Sequence, residues 1–410
     1  MWFLALKHIF SRKSQTLLTL LAIVFGSTGY IVLSGMQLGF QKYMISRLIE
    51  RSGHIIISPR DEFISSESLN GIFAGDKKIV WLNKPSGRRS NEGLTGVSKW
   101  YRKLSEDPEV VGFSPMFTQE AIASRGGFNQ NINLIGIDPA RHKQVTTFSE
   151  DVTNGSLDAL NNGLSVIMVG ERLLQLLGVR LNDTINISTS GGNVIPMKIV
   201  GTFDTGESRS DERTIYASLT TVQYVASSPG LIDSIIIKIK DYSKSAEVAN
   251  QWSHETTDLV ESWDQRYQSR LEMMKTQDLV RNITTFSFIV IVAFGIYNIL
   301  NMAVNHKTRD IAIIRSIGFN QRDTVFLFLV QGTILGLTGG VIGLITGYSI
   351  CELLESMKIQ MGRHTMRIAW DIAIYIKAFL LVSGSSIIAS YFPARSAGKL
   401  SPIEIIRSSG

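Results

Sequence analysis

The sequence predicts a membrane protein of four transmembrane α-helices, with a large α+β domain inserted between helix 1 and helix 2. Three observations carry that expectation. The chain of 410 residues is 44% hydrophobic and 19% charged, but the apolar residues are unevenly spread, and the mean hydropathy is positive at +0.13. Two stretches of 28 residues, one between Lys13 and Lys42 and one between Asp323 and Glu352, contain no charge, and two further uncharged runs occupy Asn282 to Asn305 and Ala378 to Ala394. The long interval between the first and second of these stretches breaks instead into short β-type runs bounded by Gly, Pro, Asn and Asp.

Residues 1–14 form a short N-terminal segment before helix 1, at 15–40. A spanning helix needs roughly 20 apolar residues to cross about 30 Å of hydrocarbon, because in lipid each backbone amide must be satisfied within its own helix. The first uncharged stretch would extend about 42 Å at 1.5 Å per residue, so it tilts or protrudes. Lys7, Arg12 and Lys13 before an apolar run resemble a signal peptide, but the run is longer than an h-region and no A-x-A site follows, which predicts a retained helix.

Residues 41–280 make the inserted domain. Candidate strands are His54–Ser58, Asn131–Ile137, Ser165–Val169, Thr184–Ile187, Met197–Phe203, Arg213–Ala217 and Ser234–Ile239, with short helices at Glu171–Leu177 and Ser243–Trp252. Two subdomains are expected, the stretch Gly155–Asp204 being the more β-rich. Ile64–Leu104, weakly periodic and rich in Ser, Gly, Lys and Arg, reads as an irregular excursion. Gln41–Arg51 and the charged run after Asp258 read as stalk helices at the two ends of the domain.

Helix 2 is expected at 281–304, a short helix at 305–323, helix 3 at 324–351, a loop at 352–370, helix 4 at 371–393 and a tail at 394–410. Helix 3 carries Gly332, Gly336 and Gly340 at intervals of four, with Gly339, Gly343 and Gly347 on a neighbouring face. Small residues at that spacing let helix backbones approach closely in lipid. Basic residues Lys7, Arg12, Lys13, Lys307, Arg309, Arg315, Arg322, Arg395, Lys399 and Arg407 put both termini and the 305–323 segment on the cytoplasmic face.

Several function classes are excluded on residues. The net charge of +6 forms no basic stripe interleaved with aromatics, so no nucleic-acid partner is expected. The single cysteine, Cys351, allows neither an intrachain disulfide nor a thiolate metal cluster. No G-x-x-x-x-G-K-[ST], G-x-S-x-G or H-E-x-x-H occurs, and the six histidines are scattered, so neither a catalytic nor a metal site is expected. Energy for any work across the membrane must arrive from a partner.

The segment NHKTRDIAIIRSIGFNQRD, Asn305 to Asp323, spaces Ile311, Ile314 and Ile317 at three and closes at Gly318, as a short amphipathic helix would. KTRDIAIIRSIG resembles the coupling segment of the FtsX-like, MacB-type ABC transporter permeases, with Asp310 in place of the usual Glu and Phe319 in place of a small residue. YFPARSAGKLSPIEIIR, Tyr391–Arg407, is similar to that family's closing motif. Within the superfamily, VGERLLQLLGVRLNDTINI (Val169–Ile187), LIGIDPAR (Leu134–Arg141) and LSGMQLGFQKYM (Leu33–Met44) resemble stretches of the lipoprotein-releasing permeases of the LolC/LolE type. Gly191 and Gly192 leave the hairpin after Ile187 short, where the carrier-recruiting member has a longer hook.

The resemblance implies a fold, partners and a mechanism. The inserted domain would be periplasmic, and two permease chains, identical or homologous, would each sit on a separate cytoplasmic ABC ATPase that binds ATP and Mg. This chain itself would bind no cofactor. ATP-driven closure would pass through the coupling segment (Lys307, Arg309, Asp310, Ile311, Ile314, Arg315, Ile317, Gly318) and the stalks to the periplasmic domain. A lipoprotein would enter from the inner membrane into a cavity lined by the first two spans, with Met36, Phe40, Met44, Phe286 and Ile289 as its candidate lining, to be passed to a periplasmic carrier. Two other expectations come from the same superfamily: a MacB-type efflux permease for peptides or small molecules, and an FtsX-like permease that activates a cell-wall hydrolase.

Overall fold

The computed structural model describes residues 13–64, 81–89, 93–189, 191–306, 316–358 and 367–399, with Lys7, Leu69, Thr308, Ile311, Ile313, Gln360, Met361, His364 and Thr365 as isolated positions. The expected N-terminal segment and tail fall largely outside these residues, as does much of Ile64–Leu104. Four helices, Lys13–Ser52, Gln268–His306, Gln321–Ser356 and Ile372–Lys399, are long and apolar enough to cross a membrane. The chain divides into two compact units, one holding residues 1–43, 272–359 and 366–410, the other residues 44–271 and 360–365.

In the first unit all four long helices contribute to one apolar cluster: Ile23, Val292, Ile296, Leu300, Leu335, Val382 and Ala389. The positions on the second helix, Val292, Ile296 and Leu300, recur every four residues, the spacing of one helical face.

The second unit is built on a mixed sheet. Its strands are β1 (Ile55–Ser58), β2 (Glu62–Ile64), β3 (Gly87–Arg89), β4 (Val110–Arg125), β5 (Phe128–Ile137) and β6 (Val152–Asn154). There follow β7 (Val166–Gly170), β8 (Thr184–Thr189), β9 (Val194–Phe203), β10 (Thr214–Ser218), β11 (Ser234–Ile239) and β12 (Leu259–Ser262). Ten of them pair in the order β12-β1-β11-β4-β5-β10-β7-β9-β6, with β8 bridging β4 and β9, while β2 and β3 form a separate ribbon.

The two expected subdomains are joined in one sheet by β4. Its first half pairs β11 from Val110 to Met116, its second half pairs β8 from Ala121 to Ser124, and β5 runs along its other edge from Met116 to Arg125. Two main cores flank that strand. One gathers Leu134, Ile167, Val169, Leu173, Ile187 and Ile199; the other gathers Ile55, Ile57, Trp100, Leu104, Ile237 and Trp252. Removing most of a buried Ile or Leu side chain from either costs about 2–5 kcal/mol.

Two local expectations are corrected. Val97–Glu106, which overlaps the end of the stretch expected to be irregular, is a helix: Trp100 and Leu104, one turn apart, are buried while Lys99, Arg102 and Lys103 share its charged side. Leu259–Ser262, expected to be helical, pairs with β1 as a strand. In LIGIDPAR the motif is a helix start: the Asp138 carboxylate accepts from the backbone N–H groups of Ala140 and Arg141, and Pro139 occupies the first turn. Arg141 then lies over the rings of Phe113 and Tyr101. On the same helix His142 is fully buried beside Phe148 and Tyr216, and burial pulls its pKa down to about 4.

Candidate functional site

Within the membrane unit, the first and second long helices part to leave a cleft of about 460 Å³. Its walls follow helical spacing. Tyr30, Leu33, Ser34, Gln37 and Phe40, with Met36, face it from the first helix, and Gln277, Val280, Arg281, Thr284, Thr285 and Phe288 from the second. The lining is mostly apolar surface, and Thr284 and Thr285 turn their hydroxyls back onto the carbonyls of Val280 and Arg281. At one end the Gln37 side chain donates to the Gln277 carbonyl at 2.7 Å. Arg281 pairs with Asp278 at 3.0 Å, and its Nη1 is buried with no hydrogen-bond partner among the described residues.

The floor of the cleft is set by two glycines. A Cβ on Gly29 would lie 3.1 Å from the Phe288 ring, and one on Gly26 only 2.2 Å from Val292, so the helices touch there because these positions lack side chains. Above Tyr30 the larger Leu33, Met36 and Phe40 hold them apart. Of the expected lining, Met36 and Phe40 are in the cleft; Met44, Phe286 and Ile289 are not. Phe286 is two residues from Phe288, which turns it to the exposed side of the helix. The spacing Gln277, Arg281, Thr284, Phe288, continuing into buried Val292 and Ile296, is the signal that finds the missed residues.

Gly39 sits close to a second neighbour. A Cβ there would come 2.1 Å from the Arg367 carbonyl oxygen, and nearby the Ala369 N–H donates to the Gly35 carbonyl at 3.1 Å. The glycine of the LSGMQLGFQKYM motif is thus a point of backbone contact between the first helix and residues 367–369.

The two glycine rows of the third helix meet different partners. Gly332 and Gly336 pack on Ser390 and Ser386 of the fourth helix, and Gly340 on Phe379. Gly339, Gly343 and Gly347 pack on Ile23, Ser27 and Ile31 of the first. Thr28 and Thr346 hydroxyls share a 2.6 Å hydrogen bond across the second contact.

Between the second and third helices, Ile311 is 2% exposed, inserted among Val304, Phe328, Ala394 and Ala397. Ile317 is 74% exposed, and Ile313 and Phe319 are exposed too. Ile311 and Ile317 therefore do not share one face, because six residues rotate a helix by about one and two-thirds turns. Gly318 takes φ +112, and Asn320 opens the third helix through a reciprocal capping box with Asp323. Lys307, Arg309, Asp310, Ile314 and Arg315 lie outside the described residues. Among the described residues no group of three or more His, Cys, Asp or Glu could hold a metal ion.

Comparison with known proteins adds to this geometry. Residues 16–254 match the MacB-like periplasmic core domain and residues 282–402 the FtsX-like permease C-terminal domain. A lipoprotein-releasing system transmembrane protein LolC of Xylella fastidiosa is 23% identical, over 95% of this chain and 92% of its own. An uncharacterized ABC transporter permease of Methanocaldococcus jannaschii is 22% identical, over 98% and 96%. The macrolide export ATP-binding/permease protein MacB of Haemophilus ducreyi is 23% identical over 99% of this chain, which spans 55% of the MacB length.

Proposed function

The chain belongs to the ABC transporter permeases that join a MacB-like periplasmic core domain to an FtsX-like C-terminal domain, and from that premise we propose that it releases lipoproteins from the bacterial inner membrane. In this reading both termini and the 305–323 segment face the cytoplasm, where a separate ATPase binds ATP and Mg and supplies the energy. The chain pairs with a second permease, identical or homologous, and catalyses nothing itself.

The observation that carries the reading is the apolar cleft between the first two long helices. An acyl chain drawn from lipid into water costs about 0.8 kcal/mol per methylene, and a trough lined by Leu33, Met36, Phe40, Val280 and Phe288 lowers that cost along the path. Relatives of the lipoprotein-releasing type that align over almost the whole chain support it. At the coupling segment, Ile313 and Ile317 are the side chains turned outward for the ATPase, while Ile311 anchors the segment to the bundle.

Efflux of peptides or small molecules is the second reading, favoured by MacB-type relatives aligned over 97–99% of this chain. A photo-crosslinking residue at Met36 separates the two. Capture of a triacylated lipoprotein from membranes is expected; capture of small amphiphiles alone would replace lipoprotein release with efflux. An FtsX-like signalling role would leave the cleft without cargo of either kind.

A further inference from the structure

The first long helix ends inside the second unit, where its last turns are held by a buried ion triad. Arg47 Nη2 lies 2.8 Å from one oxygen of Asp151 and Arg51 Nη2 lies 3.0 Å from the other, and Asp151 is completely buried. Leu48 and Ile49 between them are buried as well. Backbone contacts fasten the same turn: the Thr147 N–H donates to the Glu50 carbonyl at 3.1 Å, and the Asp204 N–H to the Asp151 carbonyl at 2.9 Å. Arg51 also donates to the Thr205 carbonyl.

That last contact brings in the loop 204–211. Thr205 gives its N–H and hydroxyl to the buried Asp211 carboxylate, at 3.1 and 2.6 Å. The Asp211 carbonyl lies where a Cβ on Gly170 would be, 2.1 Å away, so the loop is seated directly on the end of β7. The second long helix touches the same loop differently. Arg270 meets Glu207 at 3.5 Å with both side chains about half exposed, a pair that water and salt screen. Tyr267, just before this helix, departs from helical geometry, whereas the helix Lys13–Ser52 is unbroken.

We propose that Asp151, clamped by Arg47 and Arg51, is the rigid joint through which displacement of the first long helix enters the large domain, and that the Arg270–Glu207 contact of the second helix transmits little. The proposal rests on the reading of the chain as an ATPase-driven permease, though not on lipoprotein as its cargo. A charged carboxylate sealed between two guanidinium groups resists separation, since opening it leaves uncompensated charge in a low-dielectric site. These are positioning residues; none lines the cleft.

The test uses the full permease assembled with its ATPase, and reads hydrogen exchange of residues 44–271 with and without nucleotide. Wild type should show a nucleotide-dependent change in protection. Asp151→Asn should abolish that change while nucleotide turnover persists, and Glu207→Gln should retain it. A disulfide between Glu50→Cys and Thr147→Cys, in a Cys351→Ala background, should leave the change intact, because a rigid joint need not open. Loss on disulfide formation that reductant restores would overturn the proposal, as would a wild-type domain insensitive to nucleotide or a larger loss in Glu207→Gln than in Asp151→Asn. Equal melting temperatures of Asp151→Asn and wild type separate transmission from simple unfolding; should Asp151→Asn melt early, the milder Arg47→Gln variant, which removes one arm of the clamp and leaves Arg51 on the carboxylate, must show the same selective loss. Cargo capture at Met36 is a separate measurement, so failure of the lipoprotein reading leaves this result standing.

Discussion

Over their most apolar 18 residues the second and third long helices are equally hydrophobic, with mean hydropathy 2.1 and 2.0, yet 17% of that window in the second and 50% in the third is buried within the chain. Residue size accounts for the difference. The third helix places six glycines against its neighbours, met by three serines, two isoleucines and Phe379, so two helices lie against its backbone. The second helix offers Phe288, Val280, Arg281 and Thr284 to the first and is held off it. In lipid, where hydrophobicity does not drive helices together, close approach of small residues decides which contacts are tight. The bundle therefore contains a tightly packed core, the third helix with the fourth and part of the first, and a second helix held off the first along the cleft, with Gln37 and Gln277 bridging its far end.

The largest effect should follow from enlarging the fixed contact. Gly336→Leu puts a Cβ 2.6 Å from that of Ser386, an overpacking of about 1–3 kcal/mol or more. Loss of monodisperse protein in detergent is expected, and Gly343→Leu, on the other face, should do the same. Phe294→Ala on the exposed side of the second helix should change thermal stability little. If Gly336→Leu were tolerated as well as Phe294→Ala, the division into tightly packed and held-off helices would fail.

Filling the cleft sharpens the comparison. Thr284→Phe should abolish cargo capture at Met36 while leaving melting temperature and nucleotide turnover close to wild type. The segment joining the two helices gives a smaller, divided effect. Ile317→Asp should lower nucleotide-coupled activity with stability within about 0.5 kcal/mol of wild type, whereas Ile311→Ala should destabilise by roughly 2–5 kcal/mol as a buried apolar truncation. Thermal melts and turnover of the two variants check the contrast.

The smallest effect lies outside the bundle. The folded-state pKa of His142 is depressed to about 4 by burial, so its contribution to stability is present above pH 6.5 and is lost as pH falls toward 4. His142→Leu should flatten the acid dependence of melting of the large domain, relative to wild type, and leave the bundle unaffected.

The four spans and the inserted domain were legible because apolar runs of this length have few other structures open to them. Both glycine rows were readable from spacing alone, though not which helix each would meet. The cleft was legible only in part. Choosing large apolar residues named Met36 and Phe40, which line the cleft, and Met44, Phe286 and Ile289, which do not, where the periodicity from Arg281 leads to Phe288. Ile311, Ile314 and Ile317 looked like one stripe because each step of three nearly closes a turn, yet the error accumulates and the outer two diverge. In the domain, β4 was missed because Ser114, Pro115, Thr118, Gln119 and Glu120 hide its alternation; a strand paired on both edges tolerates polar residues that an isolated segment would not.

That strand has a further consequence. Because its 16 residues are shared by both cores, neither half of the domain can lose its order without unzipping hydrogen bonds that the other half needs. The domain should denature in a single cooperative transition, and a tug applied anywhere along it should be felt as rotation of the whole body instead of a flexing between halves.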